Sequence, residues 1–225
     1  VSEGEQYFVG DVRWQGNTVL DDLAVADRVL LQKGRVFKED EYLQTLDDLQ
    51  QVYADQGYIY ITVEPKRELD GRNVNVTFSF LEGRPANIRD ITVSGNTKTH
   101  DNVILRELTI FPGDTFSNTR IRSTMRDIFQ TGFFEDVQPD IQPTPDGDVD
   151  MDLKVKEKQT GNISVGVGYS SANNLAFNAA IKQDNVLGSG NYLGLEFNTT
   201  SYNRVVVLST VDPYFTLDGI SRAFD

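Results

Sequence analysis

An internal repeat constrains the fold of this chain more than any other feature. Four landmarks recur at an offset of 79 residues: Glu3-Gly4 as Glu82-Gly83, Gly16-Asn17 as Gly95-Asn96, Gly34 as Gly113, and Phe37 as Phe116. Further along, the offset falls to 75, where Gly57-Tyr58 is matched by Gly132-Phe133. A deletion of four residues, about one helical turn, explains the change. Two copies of one supersecondary unit therefore precede residue 159.

Each copy predicts the element order β-α-α-β-β. The opening strand, residues 8–15 or 87–94, ends at a Gly-Asn pair, which tolerates the positive φ of a sharp turn. The closing strand alternates apolar and polar residues, with Val74, Val76, Phe78 and Phe80 on one side in the first copy and Val149, Met151, Leu153 and Val155 in the second. We expect an α+β unit with two helices on one face of a three-stranded sheet.

The helices are predicted from caps and from apolar spacing. Asp21 or Asp22 is expected to cap the first helix of the first copy, and Asp101 that of the second, with Leu23 turned inward. Steps of three and four along the second helix predict one buried stripe, formed by Tyr42, Leu46, Leu49 and Tyr53, and by Ile121, Met125, Ile128 and Phe129.

Beyond residue 159 the composition changes. Residues 160–225 hold eight charged side chains and a net charge of -2, out of -13 for the whole chain. Apolar residues alternate there with small or polar ones in segments of about ten, a pattern typical of transmembrane β-barrel strands. The first segment carries Ile163, Val165, Val167 and Tyr169, and the fourth spans residues 204–211. We expect about four strands of an antiparallel meander, too few to close a barrel of ~8. A soluble sandwich or lipocalin-like sheet remains the alternative.

Composition argues against several classes of function. A net charge of -13 disfavours nucleic-acid binding, and the absence of Cys excludes disulfides and thiolate metal sites. His100 is the only His, and the alternating Asp146, Asp148, Asp150 and Asp152 are predicted to lie on the wet face of a strand. We therefore expect no catalytic residues, no cofactor and no metal site.

The remaining candidate is the backbone of exposed strands. Two strands of a three-stranded sheet are edges, whose unpaired N–H and C=O groups can accept an extended peptide. We predict that the strand after the second helix, Tyr58 to Val63 in the first copy and Phe133 to Val137 in the second, forms this edge. The residues expected to pair with a client are Tyr58, Ile59, Tyr60 and Ile61 in the first copy and Phe133 and Phe134 in the second. Pro65 and Pro139 would limit further pairing. Alternatively, these edges are merely tolerated.

Two further motifs carry a family resemblance. Gln183-Asp-Asn-Val-Leu-Gly-Ser-Gly190 and Asp212-Pro-Tyr-Phe-Thr-Leu-Asp-Gly219, with the two repeats, resemble the central subunits of the outer-membrane β-barrel assembly machinery. The repeats are similar to POTRA (polypeptide-transport-associated) domains, and Val1–Tyr7 resembles the start of the fourth of five. The resemblance implies a fourth POTRA domain at 1–83, a fifth at 84–158 and the first strands of a sixteen-stranded barrel at 159–225. Val186 stands where this family has Trp.

The resemblance also implies a function. POTRA domains in the periplasm of a Gram-negative cell would dock accessory lipoproteins and unfolded outer-membrane proteins, while the barrel contacts outer-membrane lipid. Ile163, Val165, Val167 and Tyr169 would form the barrel's first strand, which opens laterally to template client strands, and Gly166 and Gly168 would loosen its pairing. Arg106 and Glu107 match a segment that contacts a BamD-like lipoprotein.

Other interpretations stay open at this point. A two-partner-secretion or TamA-like transporter would also carry POTRA domains before a barrel, and a soluble carbohydrate or lipid carrier would need no membrane. Under the barrel interpretation, the 225-residue chain is expected to self-associate through its open sheet edges or apolar face.

Overall fold

A computed structural model describes residues 5–170, 174–216 and 220–224. The repeat landmark at residues 3–4, part of the predicted turn at 171–174 and the end of the motif at 212–219 lie outside the described residues. In chain order the elements are β1 (Phe8–Gln15), α1 (Asp22–Ala26), α2 (Glu39–Ala54), β2 (Thr62–Asp70), β3 (Asn73–Leu81), β4 (Ile88–Ser94), α3 (Asp101–Leu105), α4 (Asn118–Gln130), β5 (Phe134–Pro143), β6 (Val149–Glu157), β7 (Gly161–Ser170), β8 (Asn174–Gln183), β9 (Tyr192–Thr199), β10 (Arg204–Asp212) and β11 (Arg222–Phe224).

The chain divides into two compact units. One comprises Val1–Asp90, Ile110–Arg122 and Gln142–Asp150, and the other comprises Ile91–Thr109, Ser123–Ile141 and Met151–Asp225. The division passes through the second repeat, so the domain limits at residues 83 and 158 stay predictions.

The first repeat forms a three-stranded sheet of order β1-β3-β2, with β1 parallel and β2 antiparallel to the central β3. The predicted alternation of β3 is confirmed, since Val74, Val76, Phe78 and Phe80 are buried against the α2 stripe of Tyr42, Leu49 and Tyr53. Asp21 caps α1 as predicted, accepting a hydrogen bond from the Ala24 amide at 2.7 Å. The inward orientation predicted for Leu23 is wrong, because its side chain is 77% exposed.

The second repeat has the corresponding strand order, β4-β6-β5. Val149, Met151, Leu153 and Val155 of β6 are buried as predicted. Two details differ from the prediction. Phe129 lies on the exposed side of α4. Asp101 does not cap α3, because His100 occupies the N-cap position and the Asp101 carboxylate accepts from Asn96 Nδ2 at 2.6 Å.

The predicted edge segment of the first repeat is a turn. Gly57 has a φ of +92°, after which the Tyr58 amide donates to the Tyr53 carbonyl at 3.0 Å and the Ile61 amide to the Tyr58 carbonyl at 3.2 Å. The side chains of Tyr58 and Ile61 pack against the core. The strand assignment of Tyr58, Ile59, Tyr60 and Ile61 is therefore wrong, and β2 begins at Thr62. In the second repeat β5 begins at Phe134, which leaves Phe133 just before the strand.

A carboxylate at the end of α2 caps the start of α4. Asp55 accepts hydrogen bonds from the Thr119 amide at 2.7 Å and the Thr119 hydroxyl at 2.8 Å. The first amides of a helix have no partner within the helix, so an acceptor at this position stabilises it. Asp55 thus belongs to the first repeat by sequence but stabilises a helix of the second.

Replacing Asp55 with alanine is expected to lower the free energy of unfolding by about 1 kcal/mol. Urea denaturation in detergent micelles, followed by circular dichroism at 222 nm, measures the change. Asp47→Ala is the control. Asp47 is an exposed residue of α2, and within the described part of the chain its side chain bonds only to Gln51, one turn further along the same helix. Equal effects of the two substitutions would contradict the capping role.

The third sheet is antiparallel and has the order β11-β10-β9-β8-β7. One face is apolar, with the cross-strand rows Ile163, Ile181, Leu195, Leu208 and Val165, Ala179, Phe197, Val206. The opposite face carries small, polar and some apolar residues, as in the row Gly166, Asn178, Asn198, Val205. The four predicted strands are present, and β11 adds a fifth of only three residues. Among the described residues, no helix has the length and apolar character needed to cross a bilayer.

Candidate functional site

In each repeat, the outer edge of the first strand is partly hydrogen-bonded to a neighbouring loop. The Val9 amide of β1 donates to the Arg35 carbonyl at 2.7 Å, and the Ile88 amide of β4 donates to the Asp114 carbonyl at 2.8 Å. These bonds come from the loop that follows the short helix of the same repeat. The opposite edge strands, β2 and β5, are therefore the better candidates for pairing with an extended peptide.

The edge strands β2 and β5 carry features that discourage pairing. Eight of the nine residues of β2 are exposed, and they include Pro65 and the charged run Lys66-Arg67-Glu68. Strand β5 contains Pro139 and Pro143. Proline removes a ladder donor, and charges on an edge disfavour indiscriminate association. Prolonged pairing at these two edges is therefore disfavoured.

Strand β7 differs in composition from both. Its ten residues contain no charge and no proline, and all ten pair with β8 in an unbroken register through Gly166 and Gly168. On its other side, β7 has no partner strand within the described part of the chain. The predicted gate residues Ile163, Val165, Val167 and Tyr169 share one face and are 66–77% exposed. Within the described residues, the side of β7 away from β8 is therefore where a further strand would pair.

The predicted docking pair, Arg106 and Glu107, follows α3 and contacts a residue that sequence reasoning did not select. The Tyr214 hydroxyl donates to Glu107 Oε2 at 3.0 Å, and the Arg106 guanidinium lies 4.0 Å from the centre of the Tyr214 ring. The two side chains are only 22% and 14% exposed. Burial and the bond to Glu107 raise the pKa of the Tyr214 hydroxyl. Tyr214 belongs to the motif at 212–219, and this motif is the sequence feature that could have identified it.

The motif at 183–190 is bound to the loop before α3. Asn185 Nδ2 donates to Thr99 Oγ1 at 2.7 Å, and the His100 amide donates to the Gly188 carbonyl at 3.0 Å. Gly188 has a φ of +77°, and a β-carbon there would overlap the carbonyl oxygen of Lys98. The glycine therefore permits both the conformation and the close approach.

Gly188→Ala is expected to lower the free energy of unfolding by about 1–2 kcal/mol, through both positive φ and overlap with the Lys98 carbonyl. The matched control is Gly132→Ala, since Gly132 has a φ of +76° and no atom near its missing β-carbon. Hydrogen exchange at the His100 amide should accelerate in the Gly188 variant alone. Identical behaviour of the two variants would show that the close approach contributes nothing.

A carboxylate at the end of each repeat holds the loop before its first helix. In the second repeat, Glu157 accepts from the Thr99 amide at 2.6 Å, the Thr97 hydroxyl at 2.7 Å and the Lys98 amide at 3.0 Å. Partial burial acts to raise its pKa, but these hydrogen bonds together outweigh burial and lower the pKa to about 2. Glu82 occupies the same place in the first repeat, where it accepts from the Thr18 and Val19 amides.

The described residues form no metal site. Within residues 5–170, 174–216 and 220–224, no group of three His, Cys, Asp or Glu side chains is arranged to hold a metal ion. The alternating aspartates of β6 bond instead to side chains of the neighbouring strand β4. Asp150 pairs with Arg89, and Asp152 accepts from the Ser94 hydroxyl at 2.6 Å.

Comparison with known proteins shows the family. The POTRA family model, described as a surface antigen variable number repeat, matches residues 7–83 and 86–158. The outer membrane protein assembly factor BamA of Neisseria meningitidis is 29% identical over 100% of this chain and 29% of its own length. BamA of Nitratidesulfovibrio vulgaris is 30% identical over 95% of this chain and 28% of its own. The chain thus spans less than a third of these relatives.

A solved structure agrees with the sequence comparisons. The crystal structure of Haemophilus ducreyi BamA lacking POTRA domains 1–3 superposes with a TM-score of 0.78 at 28% identity, covering 97% of this chain and 42% of that one. The likeness confirms the predicted α+β class with a barrel-like antiparallel sheet. Homology to BamA over the whole chain also confirms the outer-membrane location, with POTRA domains in the periplasm. The chain belongs to the POTRA family.

Proposed function

We propose that this chain is part of an outer-membrane protein assembly factor that passes client strands into the membrane by main-chain pairing. The single observation that carries the proposal is the make-up of β7, whose ten residues include no charge and no proline and which pairs on only one side with a strand that the structure describes. Pairing through N–H and C=O groups needs little side-chain specificity, so one edge serves clients of many sequences.

The POTRA edges have a different part in this proposal. Their observed extents are Thr62–Asp70 and Phe134–Pro143, which keep Thr62, Val63 and Phe134 to Val137 of the two predicted strands. Because prolines and charges weaken pairing there, we propose that β2 and β5 hold unfolded outer-membrane proteins briefly in extended form. A client released from these edges is then free to pair with β7.

We propose that Arg106 and Glu107 dock an accessory lipoprotein of the BamD type. The support is a cleft beside them that combines the Glu107 and Asp127 carboxylates with the aromatic rings of Phe133 and Tyr214. Because Arg106 also lines this cleft, the surface carries charges of both signs and suits a polar partner with charged side chains. The apolar face of the third sheet is proposed to contact outer-membrane lipid, because its large side chains are exposed in every strand from β7 to β10.

Crosslinking tests the role of β7. The chain has no Cys, so single cysteines at positions 163, 165, 167 and 169 can be paired in outer membranes with a stalled client that carries one cysteine in its last strand. We expect disulfides at these positions in a fixed register. Val206→Cys, on the same face of the interior strand β10, is the control and should give none. Equal crosslinking at Val206 would refute templating at β7.

Without a client, the same edge is expected to pair two copies of the chain through β7, so that crosslinked dimers form at the same four positions. Their absence would contradict the self-association expected of an open edge.

A further inference from the structure

A cleft of about 690 Å³ lies at the base of β7, where the second repeat passes into the third sheet. It is lined by the end of β6, the start of β7 and the turn at 183–188. We infer that this cleft binds the headgroup of an anionic phospholipid, with Leu187 placed at the boundary of the acyl chains. The inference goes beyond client pairing and does not depend on it.

The first support is unpaired positive charge. Lys98 and Lys158 both line the cleft, and neither ammonium group forms an ion pair with any residue that the structure describes. The nearby Lys154 and Lys156, by contrast, pair with Asp140 and Glu135. Glu157 lies in the same cleft and Lys158 acts on the Glu135 carboxylate from a distance, but no described ion pair holds either ammonium group. Two lysines that no ion pair holds suit an anionic ligand.

Glu157 lines the same cleft but forms no ion pair with Lys98 or Lys158. Glu157 points its oxygens at the amides of residues 97–99 and at the Thr97 hydroxyl. Those bonds fix the loop that carries Lys98, and so they position one lysine of the cleft. The lysine side chains therefore remain free to contact an anion.

The second support is an exposed apolar residue held in a costly conformation. Leu187 is 90% exposed and has a φ of +53°, in the left-handed region that side chains other than glycine disfavour. The bonds of Asn185 and Gly188 to residues 99 and 100 maintain the turn. Exposed leucine in water gains nothing from this arrangement, whereas leucine at a bilayer interface is stabilised by burial.

The position of the cleft selects a lipid as the source of the anion. The turn joins β8 to β9, so Leu187 lies at the end of a sheet whose one face is apolar from Ile181 to Leu195. Gly161, the first residue of β7, lines the same cleft. Lysines beside an apolar residue at the end of membrane strands match the headgroup level of the leaflet nearest the second repeat. Free phosphate would use the lysines but not Leu187.

Lipid binding can be measured on the full chain in detergent micelles by native mass spectrometry. The probes are dihexanoyl phosphatidylglycerol, dihexanoyl phosphatidylcholine and inorganic phosphate. We expect saturable binding of the phosphatidylglycerol, about tenfold tighter than the phosphatidylcholine, with a loss of this preference in the double variant Lys98→Gln/Lys158→Gln. Lys66→Gln, in the exposed strand β2 of the first repeat, is the matched control and should change nothing.

A second variant separates lipid from free anion. Leu187→Asn is expected to weaken phosphatidylglycerol binding several-fold, leave inorganic phosphate binding unchanged and preserve the circular dichroism spectrum. Phosphate bound as tightly as phosphatidylglycerol, or full phosphatidylglycerol preference in the double lysine variant, would overturn the inference. These outcomes are independent of crosslinking at β7, which tests client pairing alone.

Discussion

Leu195→Arg is expected to destabilise the membrane-inserted sheet by about 2–4 kcal/mol, the cost of a guanidinium near the middle of a barrel strand facing lipid. Leu195 lies in β9 and is paired with Ile181 on one side and Leu208 on the other, all on the apolar face. Urea-dependent insertion into phosphatidylcholine vesicles, with protease protection as the readout, measures the loss.

The control for this prediction is on the same strand. Asn198→Arg places the same group on the opposite face of β9, in the row of Gly166, Asn178 and Val205. There the guanidinium faces the side with small and polar residues, so the expected cost is under about 1 kcal/mol. Equal costs on both faces would contradict the assignment of the apolar face to lipid.

The sequence predicted those elements whose signal lies within one segment. Strands β3 and β6 alternate strictly because one face of each is buried and the other is not, and this periodicity is visible without any structure. The same reason explains the success for β7 to β9. It also explains why the α2 stripe was correct, since Tyr42, Leu49 and Tyr53 are all buried in one core.

The errors arose where tertiary contacts override local preference. Tyr58–Ile61 has the aromatic and β-branched composition of a strand, but its two inward side chains fill the core from a turn that starts at Gly57. The true strand, β2, is charged because an edge strand needs little apolar surface. Composition alone therefore began the predicted strand four residues too early.

The contacts of the candidate sites were beyond sequence reasoning for a different reason. Tyr214 and Glu107 are 107 positions apart, and the turn at 183–190 contacts Thr99 and His100 across a similar separation. Both turns were selected as motifs, yet no periodicity connects a turn with its partner. Only the fold brings Tyr214 into contact with Arg106 and Glu107.

Acidification is expected to remove about 2–3 kcal/mol of stability through Glu157 alone. Its pKa is about 2 in the folded chain, below the ordinary value of 4.5, because amides and a hydroxyl of residues 97–99 stabilise the carboxylate against the opposing effect of burial. A lowered folded-state pKa adds stability that is complete above the unfolded value and is lost as the pH falls through the folded one. The loss should therefore develop between about pH 5 and pH 2.

Glu157→Gln isolates this contribution, because glutamine keeps the size of the side chain but carries no charge at any pH. In urea denaturation followed at 222 nm, the variant should be less stable than the native chain at pH 7 by about 2–3 kcal/mol, and the difference should shrink to near zero at pH 2. Glu82→Gln is the internal control: its pKa is also lowered, and Trp14, the only tryptophan, reports fluorescence from its repeat. If Glu157→Gln changes the unfolding transition seen by Trp14 fluorescence as much as Glu82→Gln does, the substitution in the second repeat also destabilises the first.

A constant stability difference between the native chain and Glu157→Gln from pH 7 to pH 2 would contradict this prediction. It would show that the substitution acts through packing and not through loss of the carboxylate charge that holds residues 97–99.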